Sequence, residues 1–192
     1  MPQPNQAALD FLLSRRSRPA KTLVGPAPSR AELEPLLEAA LRSPDHGKLE
    51  PWRLIVLERK ALQKLADLIP ERGAALGIEP DKITKGQDQF AKADLAVVVI
   101  ESPVLSEKVP AIEQSYSAAC VCLQLLNASL AAGWGANWLS GWASHDRDFV
   151  EKGLGLTPHE KVAGFIHIGT EKVAPPERPR PNMETKVTWL LD

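Results

Sequence analysis

Residues Leu41–Leu57 read LRSPDHGKLEPWRLIVL, and a helix, a loop and a strand meet within them. A periodic apolar segment ends here, breaks at Ser43-Pro44 and stays irregular to Pro51, after which Trp52-Arg53-Leu54-Ile55-Val56-Leu57 predicts a buried strand. Arg42, Asp45, His46 and Lys48 make the loop a cation-rich, hydrogen-bonding surface held between two rigid elements, where ligand-binding groups are usually placed. The same residues also suit a plain polar connection with a capping Ser or Asp.

On the N-terminal side, Ala8, Leu9, Leu12 and Leu13 predict a helix over Ala7–Ser14 that runs into Arg15-Arg16-Ser17-Arg18 and stops at Pro19. Cations at a helix C-terminus complement its dipole. Two guanidiniums and a hydroxyl in succession can equally hold a phosphate by charge-assisted hydrogen bonds. Beyond a Pro/Gly-rich linker, Val24–Pro28, Ser29 and Glu32 form a capping-box signature, and Leu33, Leu36, Leu37, Ala40 and Leu41 continue at helical spacing. Pro35 is expected to kink that helix or delay its start.

On the C-terminal side, Leu62, Leu65 and Ile69 predict a helix ending before Pro70, and Pro80-Asp81 opens a polar one through Ile83 and Phe90. The span between them reads as loosely specified, suited to a mobile cover or to a surface connection. Asp94–Ile100 is an unbroken apolar run, the pattern of a strand buried on both faces. Pro110–Ala132 predicts the most apolar helix, ended by Gly133; Gln114, Gln124, Asn127 and unflanked ends exclude a membrane span. Such a helix needs cover on most sides, by a sheet and by a second subunit. Trp134–Leu139 predicts a strand stopped at Ser140-Gly141, Ser144 is expected to cap a short helix through Phe149, Val150 and Leu154, and Val162–Gly169 predicts another strand. Pro175–Pro181, PPERPRP, is expected to be extended and to carry a last strand over Lys186–Leu191 to its own sheet or to a partner's edge.

With 192 residues, 44% hydrophobic and 24% charged, the chain fits one domain, 1–192, and a net charge of −1 leaves no footprint for nucleic acid or an anionic membrane. No apolar core with a small-residue cleavage site marks the N-terminus, so a cytoplasmic protein is expected. Cys120 and Cys122, two apart on a helix, cannot pair there and read as small buried thiols. Gly133-Trp134-Gly135 follows a helix and enters a strand, the wrong order for a dinucleotide-binding turn. No Walker loop or nucleophile elbow occurs, and His46, His145, His159 and His167 lack metal-ligand spacing, so no metal is expected.

Taken together, Arg15-Arg16-Ser17, Arg42-Ser43-Pro44-Asp45-His46 followed by Pro51-Trp52-Arg53, Glu113-Gln114 with Ser117-Ala118-Ala119-Cys120, and Trp138 to Gly141 resemble the flavin-dependent nitroreductase family. The resemblance is greatest to its small, single-domain NAD(P)H-dependent members and covers nearly the whole chain in order. It implies an α+β fold, a central mixed sheet flanked by helices, with a C-terminal arm exchanged in a homodimer and FMN at the interface.

By this resemblance Arg15, Arg16 and Ser17 take the phosphate and ribityl end, Arg42 and His46 reach the flavin from the facing subunit, and Trp138, Leu139 and Ser140 line the isoalloxazine. Many relatives carry arginine at the position of Leu139, so a side-chain contact there is in doubt and a backbone contact is not. The nicotinamide is placed near Ser129, Leu130, Ala131, Ala132, Gly133 and Trp134, although helix C-terminal carbonyls suit its phosphates poorly. The implied activity takes hydride from NAD(P)H and passes electrons to a nitroaromatic, a quinone or a similar small acceptor, with no catalytic protein nucleophile. A flavin-binding protein without turnover, or a flavin enzyme of the same fold using oxygen, is the alternative.

Overall fold

The run LAVVVIE, Leu95–Glu101, is the strand around which the computed structural model is built, and six of its seven residues are buried. The structure describes residues 3–190. Its elements in chain order are α1 (Gln6–Ser14), β1 (Leu23–Val24), α2 (Arg30–Ala40), β2 (Trp52–Glu58), α3 (Arg59–Ala75), α4 (Pro80–Ala91), β3 (Leu95–Glu101), α5 (Ala111–Ala131), β4 (Gly135–Leu139), α6 (Trp142–His145), α7 (Arg147–Leu154) and β5 (Lys161–Glu171). Short 3-10 turns lie at Ala20–Thr22, His46–Lys48 and Met183–Thr185.

β5 pairs with β1, β3 and β4, and β3 pairs in turn with β2, so β2 and β4 lie at opposite edges. Every pairing among the described strands is antiparallel. Alternate residues of β3 feed two cores. Ala96, Val98 and Ile100 join Phe165 against Leu62, Leu65 and Ile69 of α3, Phe90 of α4 and Phe149 of α7. Leu95, Val97 and Val99 join Ile166 and Ile168 against Leu33 and Leu36 of α2 and Val121 and Leu125 of α5. Burying each such valine, leucine, isoleucine or phenylalanine side chain contributes about 1.5–3 kcal/mol, which is why an apolar run of this kind takes the central position. The result is the expected α+β architecture, a sheet between two helical layers.

Several local expectations are corrected. β1 occupies part of the presumed linker, with Leu23 opposite Glu171 and Val24 opposite Thr170. β2 is an edge strand, and only Leu57 in it is fully buried. α2 has the predicted capping box of Ser29 and Glu32 and continues through Pro35. α3 continues through Pro70 to Ala75, because Ile69 is fully buried and Gly73 abuts Ile83 of α4; this packing outweighs the lost backbone donor. The span expected to be loose is therefore the end of one helix, a four-residue connection and the next helix, packed as a pair. α7 is capped by Asp146, whose carboxylate accepts from the Phe149 N–H, while Ser144 lies within α6. Cys120 is exposed and Cys122 buried, where desolvation pushes its thiol up to about 12. After Thr185 the described tail, through Leu190, forms no strand; Leu191 lies outside the described residues. Among the described residues no helix is long and apolar enough to cross a membrane.

Candidate functional site

Arg15-Arg16-Ser17-Arg18 leaves the end of α1 and is sewn to the edge strand β4. The Arg18 N–H donates to Ala136 O at 2.8 Å, and Asn137 Nδ2 donates to Arg18 O at 2.8 Å. Arg15 Nη2 donates to Ser17 Oγ at 3.2 Å. Arg15 Nε and Arg16 Nη1 are buried and have no hydrogen-bond partner among the described residues. Burial and the positive charges of Arg180 and Arg18 hold the Arg15 guanidinium below its ordinary range. Arg180, from the proline-rich arm, lies against this segment, with Nη2 3.5 Å from Arg15 O. Two carboxylates enter the cluster: Glu171 lies 3.4 Å from Arg18, and Glu177 lies 2.9 Å from Arg180. Four guanidiniums and two carboxylates leave a surplus of two positive charges, with buried donors unmet, and such an arrangement suits a dianion.

Beside this cluster a cleft of about 490 Å³ opens between Pro19–Lys21, α4 and β4. Lys85, Gln89, Asn137 and Leu139 are among its walls. The strand alternation of β4 sends Asn137 and Leu139 into the cleft and Trp138 to the opposite face. There the Trp138 indole lies on Gly164, where any side chain would collide with it, and its Nε1 donates to Ala163 O at 3.3 Å. Ser140 follows, exposed. Gln89 at the cleft wall meets His167, Nε2 to Nε2 at 3.5 Å. His167 is fully buried, its Nδ1 has no partner, and desolvation lowers it to about 4, so it is neutral near pH 7.

The second group of expected residues is built on the opposite edge. Pro44 O accepts from Ser117 Oγ at 2.8 Å, and Trp52 Nε1 donates to the same hydroxyl at 3.0 Å. The Asp45 carboxylate accepts from the N–H groups of Leu49 and Glu50. Gly47, Lys48 and Glu50 all have positive φ, and for the two non-glycine residues this costs about 1–2 kcal/mol each. Arg42 and His46 are exposed, and His46 Nδ1 lies 2.7 Å from Glu113 Oε2 on α5. Arg15, Arg16 and Ser17 precede Arg18, which binds the β4 edge that carries Leu139 into the cleft, while Arg42 and His46 lie in the loop that enters β2, at the opposite edge of the sheet.

Ser129–Trp134 forms the turn from α5 into β4, at the end of β4 remote from Leu139. Ser129 is fully buried and its hydroxyl donates to Leu125 O at 2.8 Å, while Ala131, Ala132 and Gly133 are exposed. Leu130 and Trp134 pack against the α2/α5 core. The sequence marks neither Arg180 nor Gln89, and Glu113 appears in it only as part of the Glu113-Gln114 motif, with no site role. Arg180 carries no local signature for this place, since the Arg15 carbonyl it approaches is 165 residues away.

No cluster of metal-ligating side chains occurs among the described residues. The sequence matches the nitroreductase family over residues 12–170. It is 31% identical over 166 residues to the Escherichia coli K12 protein named "Putative NAD(P)H nitroreductase YdjA", covering 86% of this chain and 89% of that one. A Haemophilus influenzae protein named "Putative NAD(P)H nitroreductase" is 34% identical over 166 residues, covering 85% of this chain and 88% of that one. Among solved structures, a nitroreductase-like family protein from Bacillus cereus superposes with a TM-score of 0.78 at 24% identity, covering 99% of this chain and 98% of that one. The FMN and NADPH-dependent nitroreductase NfnB of sphigopyxis sp. strain HMH gives 0.75 at 19% identity, covering 95% and 98%. The family match takes in the Arg15–Ser17 cluster, the Arg42–Arg53 loop and the β4 edge in one continuous stretch, and the chain belongs to the nitroreductase family.

Proposed function

We propose that this chain is an FMN-dependent oxidoreductase that takes hydride from NAD(P)H and passes the electrons to a small acceptor such as a nitroaromatic or a quinone. The observation that carries the reading is the pair of buried, unpartnered guanidinium nitrogens on Arg15 and Arg16 in a cluster with two surplus positive charges. A phosphate monoester meets both demands at once, supplying acceptor oxygens and about −2 of charge. Bound FMN would supply the centre that accepts hydride and returns electrons.

In this reading Arg15, Arg16 and Ser17 hold the phosphate and ribityl end, and Arg180 adds charge from the arm. The cleft beside them, walled by Asn137, Leu139 and Gln89, receives the ring and excludes water from one face. Trp138 acts by fixing the position of β4, and Leu139 and Ser140 meet the ring through backbone or short side-chain contacts. The exposed turn Ala131–Gly133 is the part of the expected nicotinamide region with surface to offer.

Arg42 and His46 would complete the site from a second protomer, since their loop enters β2, at the sheet edge opposite β4. Exposed apolar surface supports that dimer. Leu9, Leu12 and Leu13 leave α1 without a buried residue, Ile112, Tyr116 and Leu123 are exposed on α5, and Trp189 and Leu190 are exposed on the tail. The parallel component of a mixed sheet would come from that tail, added to the partner's free β2 edge. A purified protein with a flavin absorption spectrum that bleaches with NAD(P)H under anaerobic conditions is the expected result. A colourless protein that binds no added FMN would overturn the reading.

A further inference from the structure

The loop between α2 and β2 is held more firmly than a surface connection requires. Glu113 and Ser117, four residues apart on one face of α5, both reach it: Ser117 binds Pro44 and Trp52, and Glu113 binds His46. Asp45 ties down the Leu49 and Glu50 N–H groups, and Lys48 and Glu50 are kept at φ of 54° and 48°. Non-glycine residues persist in that region only where their surroundings determine them, and such strain gathers at ligand sites. His46 and Glu113 have side chains 60% and 43% exposed, and an ion pair in so open a setting adds little to stability. Their 2.7 Å contact, made across 67 residues of sequence, ties the imidazole to α5 through Nδ1.

We propose that Glu113 is the positioning residue of His46. Its carboxylate accepts the Nδ1 proton, which sets the tautomer and leaves Nε2 as the nitrogen directed away from α5 toward the ligand. A carboxylate behind a working histidine does the same in other settings, fixing the tautomer and orienting the ring. This rests on the reading above that His46 meets the flavin. Glu113 acts only through His46, so its effect must vanish when the imidazole is absent.

The test is a double-mutant cycle on FMN dissociation constants in the full-length protein, with His46→Ala, Glu113→Ala, Glu113→Gln and the double alanine variant. Glu113→Ala is expected to weaken FMN binding about fivefold, with thermal stability and oligomeric state unchanged. Glu113→Gln, whose amide oxygen still accepts from Nδ1–H, should recover most of the loss. The double variant should bind FMN no more weakly than His46→Ala alone. If Glu113→Ala binds as the wild type does while His46→Ala is impaired, or if the two losses add, Glu113 does not position His46. If His46→Ala itself binds FMN normally, both this inference and the flavin role of His46 fail.

Discussion

Two sets of arginines in this chain meet burial in opposite ways. On the α3/α7 side of the sheet, two guanidiniums face carboxylates: Arg53 holds Glu160 with contacts of 2.6 and 3.0 Å, and Arg72 holds Asp146 at 2.7 and 3.0 Å with Asp148 at 2.7 Å. Those partners raise both guanidiniums above their ordinary range, and Arg53 with the Thr157 N–H helps hold the Glu160 carboxyl down to about 2. At the β4 edge, Arg15 is instead lowered by burial and by other arginines, and two nitrogens of the pair Arg15 and Arg16 are left without partners. The first set is complete in the folded chain and serves structure. The second leaves buried donors of Arg15 and Arg16 and one buried oxygen of Glu171 without partners, and in the proposed function an anion meets those donors at some expense to the stability of the free protein.

His167 supplies a third outcome, a buried ring without a charge partner that remains neutral, and it gives the largest expected effect. Its folded value is about 4 against an ordinary 6.5, so between those pH values the unfolded chain binds the extra proton. Stability from this residue is therefore full above pH 6.5 and falls as pH drops toward 4, by on the order of 3 kcal/mol. Urea midpoints measured across that range should fall less steeply in His167→Gln than in the wild type; equal slopes would show that the ring is solvated. Next in size, Arg53→Ala should cost about 2 kcal/mol of stability by leaving Glu160 buried and unpaired, a value reduced by the partial exposure of Arg53. FMN affinity should be untouched by that change, and a loss of affinity equal to that of a β4-edge arginine would dissolve the distinction between the two sets. Arg180→Ala should show the reverse pattern, a smaller loss of about threefold in FMN affinity at unchanged urea midpoint, because this arginine is half exposed.

Much of the scaffold was legible where its cause is local. The Ser29/Glu32 capping box, the apolar run of β3 and the long periodicity of α5 each carry their signal within one element, and each is present in the structure. Features set by distant partners were not legible. β1 is two residues long and exists because β5 extends to Glu171; α3 crosses Pro70 because α4 packs against its last turn; and Arg180 reaches Arg15 only through the path of the arm. The arginine pair at the end of α1 lay between these cases. Its sequence could not separate a dipole-compensating pair from an anion site, and the buried nitrogens without partners are what favour the anion.

The most direct test compares FMN with riboflavin, which differs by the phosphate alone, in the wild type and in Arg15→Ala. The wild type should bind FMN about 100-fold more tightly than riboflavin, and Arg15→Ala should bring the two affinities together by lowering that for FMN while leaving that for riboflavin nearly unchanged. A wild-type protein that binds riboflavin as tightly as FMN, or an Arg15→Ala variant that keeps the full preference, would contradict the assignment of this cluster to the phosphate.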